Sequence, residues 1–262
     1  MKYYIVDAFS DEPFSGNQAG VCLLDEWLKD ETMQNIAAEN NLADTAFVVE
    51  RDNYFDLRWF TPATEIDLCG HATLASAFVV TNYLDSGMSV MDFHTKSGVL
   101  SVEKNGDLFE MDFPSRKPEK IEITPLMEQA VGEPVLEAHK SRDLLLLLDS
   151  EEQVKSLQPD LNLVANLPDC FALIVTAKSD RVDFVSRFFA PNAGISEDPV
   201  TGSSHSTLIP FWAEKLDKES MTAQQLSKRG GMLYCKNCGD RVKISGRATL
   251  YLHGEILLDG IT

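Results

Sequence analysis

Arg58-Trp59-Phe60-Thr61-Pro62 and Arg187-Phe188-Phe189-Ala190-Pro191 are two copies of one pattern, 129 residues apart in a chain of 262. A repeat at about half the chain length bears on architecture before any local reading does, because each copy must be built into a similar unit. Three further echoes keep the same order. Asn41-Leu42-Ala43-Asp44 returns as Asn166-Leu167-Pro168-Asp169, each ahead of a hydrophobic run. Cys69 and Asp198 each follow their proline by seven residues and open a glycine-containing turn. Ser97-Gly98-Val99-Leu100 with the turn Lys104-Asn105-Gly106-Asp107 is matched by Gly230-Gly231-Met232-Leu233 with Lys236-Asn237-Cys238-Gly239-Asp240. Four echoes in register predict two similar lobes.

Working outward, each lobe reads alike. Tyr3–Phe9, Val21–Leu24, Thr45–Val49 and Phe55–Phe60 have the composition of strands, and the Pro13/Gly16/Asn17 cluster that of a loop. Residues 31–39 place Met33, Ile36 and Ala37 at helical spacing. Gly70-His71-Ala72-Thr73 leads into Leu74–Tyr83, apolar on most sides and therefore a buried helix. Asn105-Gly106 between Val99–Val102 and Leu108–Phe113 is a hairpin signal. The second lobe follows, with Thr201-Gly202-Ser203-Ser204 leading into the helix His205–Leu216. The expected fold is α+β: two pseudo-symmetric lobes, each a curved, mostly antiparallel sheet or barrel around one central buried helix. The Pro- and Lys-rich stretch Pro114–Pro125 marks the link, giving lobes of residues 1–117 and 118–254.

Composition narrows the function classes. Hydrophobic residues make up 44% of the chain, enough for a packed core. The net charge of −18 repels phosphate backbones and anionic lipid, so nucleic acid and membrane surfaces are not expected partners. The densest apolar run, Leu144 to Leu148, falls far short of the roughly 20 residues of a membrane span. The start meets Asp7 at once and has no apolar signal segment. Five scattered cysteines do not form a disulfide framework. A cytoplasmic location follows as the expectation.

Two glycine-bearing helix starts, one per lobe, are anion sites by construction, since their N–H groups lack partners inside the helix and the dipole is positive there. If the lobes face each other, Cys69-Gly70-His71 and Asp198 with Gly202-Ser203 converge on one cleft. The bland alternative is that both glycines merely start buried helices. Asp44 and Asp169 precede the third strand of each lobe, where a carboxylate is commonly a turn residue. His94, His139, His205 and His253 show no metal spacing. Cys235-Lys236-Asn237-Cys238 lacks the second pair a zinc site needs, and the repeat puts it in a hairpin. No nucleotide fingerprint, Walker loop, nucleophile elbow or metal-binding helix motif occurs. No cofactor and no metal are expected; proton transfer by side chains remains.

Several stretches are similar to a known family. Ile5-Val6-Asp7-Ala8-Phe9, Phe14-Ser15-Gly16-Asn17-Gln18-Ala19-Gly20-Val21, Leu42-Ala43-Asp44-Thr45-Ala46-Phe47, Arg58–Pro62, Cys69-Gly70-His71-Ala72-Thr73, Glu197-Asp198-Pro199-Val200-Thr201-Gly202-Ser203 and Arg229-Gly230-Gly231 resemble the PhzF-like phenazine-biosynthesis family over nearly the whole chain. The resemblance implies the diaminopimelate-epimerase-like fold, a last strand (about 255–262) returning to the first lobe, and homodimers. It also implies a cofactor-independent isomerase acting on a small carboxylate substrate, with His71 and Asp198 as helpers and Gly70, Gly202 and Ser203 as substrate contacts; Asn17 is a further, weaker candidate for a polar substrate contact. The family's acid/base is a glutamate; here the matching residue is Asp44. The intrinsic acidity is nearly unchanged, but the carboxyl is withdrawn by about 1.5 Å. Epimerases of this fold use two thiols. Cys69 with Asp198 therefore stands as an alternative acid/base pair, and a ligand-binding protein with a decayed site as another.

Overall fold

A computed structural model of the chain describes residues 1–258. The chain divides into two units: Met1–Asp112 together with the stretch from Ser245 onward, and Phe113–Ile244. The first run holds β1 (Lys2–Ala8), β2 (Asn17–Leu24), α1 (Asp30–Asn40), β3 (Asp44–Glu50), β4 (Phe55–Phe60), β5 (Glu65–Ile66), α2 (Gly70–Tyr83), β6 (Val90–Thr95), β7 (Gly98–Asn105) and β8 (Leu108–Pro114). The second holds β9 (Glu119–Ile121), α3 (Pro125–Val131), β10 (Glu137–Lys140), β11 (Leu144–Leu147), α4 (Glu151–Ser156), α5 (Leu161–Ala165), β12 (Leu173–Lys178), β13 (Phe184–Phe189), α6 (Gly202–Leu216), β14 (Ser220–Gln225), β15 (Gly231–Asn237) and β16 (Arg241–Gly246). A final strand, β17 (Ala248–Glu255), lies antiparallel to β1 in the first unit. Of the expected last strand 255–262, residues 259–262 lie outside the described residues.

The two units repeat one connectivity. In the first, β2 and β3 are parallel, β3 and β4 antiparallel, β4 and β6 parallel, and β6 and β7 antiparallel. In the second, the same sequence of pairings joins β11 to β12, β12 to β13, β13 to β14, and β14 to β15. Parallel neighbours require crossovers. These are α1 and α2 in the first unit, and α4 with α5, then α6, in the second.

Cross-strand registers show how the copies have drifted. Asn41 and Asn166 are the C-caps of α1 and α5, so the 125-residue echo marks a helix stop. Thr45 lies opposite Phe60, and Leu173 opposite Phe189, which makes Leu173 the counterpart of Thr45. Asp169 is therefore not the counterpart of Asp44: it sits in a left-handed turn at φ 51° ahead of the strand. The Arg-containing pentapeptides keep the 129-residue offset. Arg58 grips Glu65 at 2.7 and 2.8 Å, and Arg187 grips Glu197 at 2.6 and 3.0 Å. The stretch from Pro191 to Glu197, which opens with a 3-10 turn at Pro191–Ala193, is three residues longer than that from Pro62 to Glu65. As a result the N-cap of α2 is Cys69 and that of α6 is Thr201, so Asp198 lies three residues before its helix cap.

The helices sit where their patterns dictate. Met33, Ile36 and Ala37 of α1 pack on Phe47, Val49 and Phe60. The helix α2 is buried along almost its whole length. Its hydroxyls bond back to helix carbonyls: Thr73 to Cys69 at 2.6 Å, Ser76 to Ala72 at 2.7 Å and Thr81 to Ala77 at 3.0 Å. Those bonds give each of the three hydroxyls an acceptor inside the helix. No described helix is long and apolar enough to cross a membrane.

Candidate functional site

In the first unit three side chains of different chemistry meet at the start of α2. Asp44 opens β3, Cys69 caps α2, and His71 is the second residue of that helix. The Cys69 thiol donates to Asp44 Oδ2 at 3.1 Å. His71 Nε2 lies 3.4 Å from the same oxygen, and its Nδ1 3.5 Å from Cys69 Sγ. All three residues are buried. Asn17, which opens β2, is fully buried too. Cys69 makes no capping bond to its own helix, so the first-turn N–H groups keep their capacity for an anion. Donor atoms of Asp44, Cys69 and His71 lie within 4.8 Å of one another, a spacing a divalent ion could bridge.

The second unit repeats the device with other residues. Thr201 caps α6 without a side-chain bond to the helix; its Oγ1 donates to Asp198 Oδ2 at 2.5 Å. In both units, then, the residue capping the central helix gives its side-chain proton to a nearby carboxylate. The loop before α6 is pinned on all sides. Glu197 is held by Arg187, and Asp198 N donates to Phe188 O at 3.1 Å. Gln225, fully buried, donates to Asp198 O at 2.7 Å and accepts from Thr201 N at 2.9 Å. Ser203, in the first turn of α6, is 3.3 Å from Arg142 Nη2.

Sequence reasoning named Asp44, Cys69 and His71, and these three converge. It also named Asp198, Gly202 and Ser203, which lie together in the second unit's helix start. It missed Thr201 as a partner of Asp198, and it missed Gln225 and Arg142 altogether. Thr201 stands inside the Glu197–Ser203 motif, where its hydroxyl was a visible signal. Gln225 acts across 24 residues or more and left none. Cys235 is buried within β15, and Cys238 is exposed in the β15–β16 turn.

Burial pushes both His71 and His205 down to about 4, against partial relief from hydrogen bonds to the backbones of Gln18 and Thr201. Both rings are neutral at pH 7, so His71 is available there as an orienting hydrogen-bonder and not as a standing cation. The folded state refuses protons that the unfolded chain accepts from pH 6.5 downward. Stability is therefore lost as pH falls from 6.5 to about 4, at up to ~1.4 kcal/mol per pH unit for each ring, and levels off below. Urea midpoints measured across that window should fall, and His205→Gln should flatten the fall. An unchanged slope in that variant would contradict this source.

Two lobes of one connectivity, each built round a buried helix whose cap serves a carboxylate, define the class as the diaminopimelate-epimerase-like fold. The family model described as phenazine biosynthesis-like protein (PhzC-PhzF) matches residues 6–254, and the chain belongs to that family. An uncharacterized isomerase of Pseudomonas aeruginosa is 50% identical over 98% of this chain and 99% of its own. The crystal structure of a phenazine biosynthesis protein of the PhzF family from Enterococcus faecalis superposes with a TM-score of 0.97 at 48% identity, covering 98% and 99% of the two chains. A probable proline racemase from Agrobacterium radiobacter shares the fold alone, at TM-score 0.63 and 9% identity over 99% and 94% of the chains.

Proposed function

We propose that the protein is an isomerase that moves a proton within a small carboxylate-bearing substrate, using its own side chains and no cofactor. Membership of the family and the isomerase names of its relatives support the reaction class. The observation that carries the reading further is the Asp44–Cys69–His71 cluster: a carboxylate, a thiol and a neutral imidazole in mutual contact at an uncapped helix start.

In this reading Asp44 is the base. It takes a proton from a substrate carbon, the C–H electrons pass into the adjacent unsaturated or carboxylate system, and Asp44 becomes a carboxylic acid. The same proton is then returned to a second carbon as the electrons shift back, and the carboxylate is regenerated. The Cys69 thiol fixes the position of the short aspartate, and the helix dipole steadies negative charge developing in front of it. His71 orients substrate as a neutral hydrogen-bonder. The main-chain N–H groups of Gly70 and His71, and those of Gly202 and Ser203, hold anionic oxygens. Asp198 assists proton movement, and Asn17 gives a polar substrate contact. A homodimer is part of the same proposal.

One observation favours a second reading. The Cys69 thiol itself is in the cluster, 3.1 Å from a carboxylate that can take its proton, as an epimerase using Cys69 with Asp198 would need. Cys69→Ala separates the two. Under the first reading it keeps exchange of a substrate carbon proton with solvent, reduced only by looser placement of Asp44. Under the second, exchange is lost with Cys69→Ala. A compound that binds and exchanges with neither variant nor wild type would make this a ligand-binding protein.

A further inference from the structure

The tip of the β10–β11 hairpin, Ser141-Arg142-Asp143, lies against the start of α6. Arg142 Nε and Nη2 donate to the two oxygens of Asp143 at 2.9 and 2.7 Å, and Nη2 also reaches Ser203 Oγ at 3.3 Å. The guanidinium is steadied by Phe171, whose ring centre is 4.8 Å away. Asp143 is fully buried, whereas the Arg142 side chain is 34% exposed. Its Nη1 makes no hydrogen bond among the described residues, so one edge of the fork is left over.

A second guanidinium is brought to the same helix by a break in its hydrogen bonding. Pro210, inside α6, has no N–H to offer the Ser206 carbonyl one turn back. Arg116 N takes that carbonyl at 2.8 Å, which fastens Arg116 to the helix. Its side chain has no hydrogen bond or ion pair within range among the described residues, and Nη1 is buried without a partner. Burial first, and the Arg142 charge second, hold the Arg116 pKa below its ordinary value, while Asp143 acts in the opposite sense.

Two positive charges therefore act on one buried negative charge, one guanidinium reaching Ser203 in the first turn of α6 and the other residue fastened through its main chain to Ser206, one turn further on. The Arg142–Asp143 ion pair alone would be a hairpin brace. It does not explain a second guanidinium held close without an acceptor, in a chain whose net charge is −18. Like charges repel, and a buried donor without an acceptor is costly, so an anion would complete the arrangement.

We propose that Arg142 and Arg116, with Ser203 and the first turn of α6, bind a carboxylate group of the substrate, making the two arginines the residues that select for it. A planar carboxylate can accept from the spare edge of Arg142 while Arg116 neutralises the remaining charge. This rests on the reading of the α6 start as a substrate-binding element, but its test needs no turnover.

The test is titration of the ¹⁵N-labelled full chain with acetate, succinate and inorganic phosphate at fixed ionic strength, following the Gly202, Ser203 and Ser204 amide signals. The expected result is saturable shifts at these amides with acetate and succinate. Removing the charge should weaken binding about tenfold. Arg142→Met alone strands the buried Asp143, so the double variant Arg142→Met/Asp143→Asn and the single variant Arg116→Gln are the ones to compare. Three results would overturn the proposal: no saturable shift with any probe, equal affinity in both variants and wild type, or phosphate binding more tightly than either carboxylate. Loss of the isomerase reading would show separately, as absent proton exchange with these shifts intact.

Discussion

Asp44→Asn will lower the rate of substrate proton exchange by about 10³-fold while leaving substrate affinity within a few-fold. The amide oxygen still accepts from the Cys69 thiol, which sits 3.1 Å from the carboxylate in the native chain, so the cluster is kept and only the base is removed. Asp44→Glu supplies the family's longer acid and will not act as a silent change. The extra methylene carries the carboxyl about 1.5 Å further, toward Cys69 Sγ and the His71 ring that already contact it, and a misplacement of that size costs on the order of 100-fold. Steady-state kinetics of the three proteins would check both expectations. An Asn variant with native kcat would remove Asp44 from the chemistry.

The second large effect is on stability. Arg187→Met should cost about 4 kcal/mol and lower Tm by about 10 °C. Arg187 is buried beside Phe189, bonds both oxygens of Glu197, and donates to the carbonyls of Val154 and Leu157 at 3.3 and 2.6 Å. Removing it leaves all of these acceptors short of a donor at once. Arg187→Lys should recover only part of the loss, because an ammonium cannot reproduce the fork. Activity should suffer too, since Glu197 adjoins Asp198 in the pinned loop. A Tm within 2 °C of wild type, read by calorimetry, would contradict this account.

The duplicated pattern was legible because it answers to one physical need twice: an arginine on a strand that must find a glutamate, next to aromatics that must be covered. Arg58 with Glu65 and Arg187 with Glu197 meet that need in both units. Its register was less legible. The stretch after Pro191 is three residues longer than that after Pro62, so equal spacing pairs Cys69 with Asp198 although the helix caps are Cys69 and Thr201. Similarly, Asn-Leu-x-Asp marks a helix stop in both halves, but only Asp44 goes straight into a strand. Turn chemistry is local and repeats easily, whereas the loop after it is set by what it must span.

The first unit's cluster was readable because its residues lie within short motifs, and the family resemblance drew attention to them. Gln225 and Arg142 were not, because their roles come from contacts 24 and 61 residues away, and neither residue type signals a site by itself. Pro210 is an instructive case. In isolation it reads as a helix breaker; in place it frees one carbonyl, and that carbonyl fixes Arg116.

The most direct measurement is proton NMR in deuterium oxide, with wild-type protein and Asp44→Asn run side by side on small carboxylates, among them dihydro-hydroxyanthranilate, diaminopimelate and proline-like amino acids. The account predicts that one carbon-bound proton signal of a converted substrate disappears with wild type and persists with Asp44→Asn. Equal loss of that signal with both proteins would contradict it.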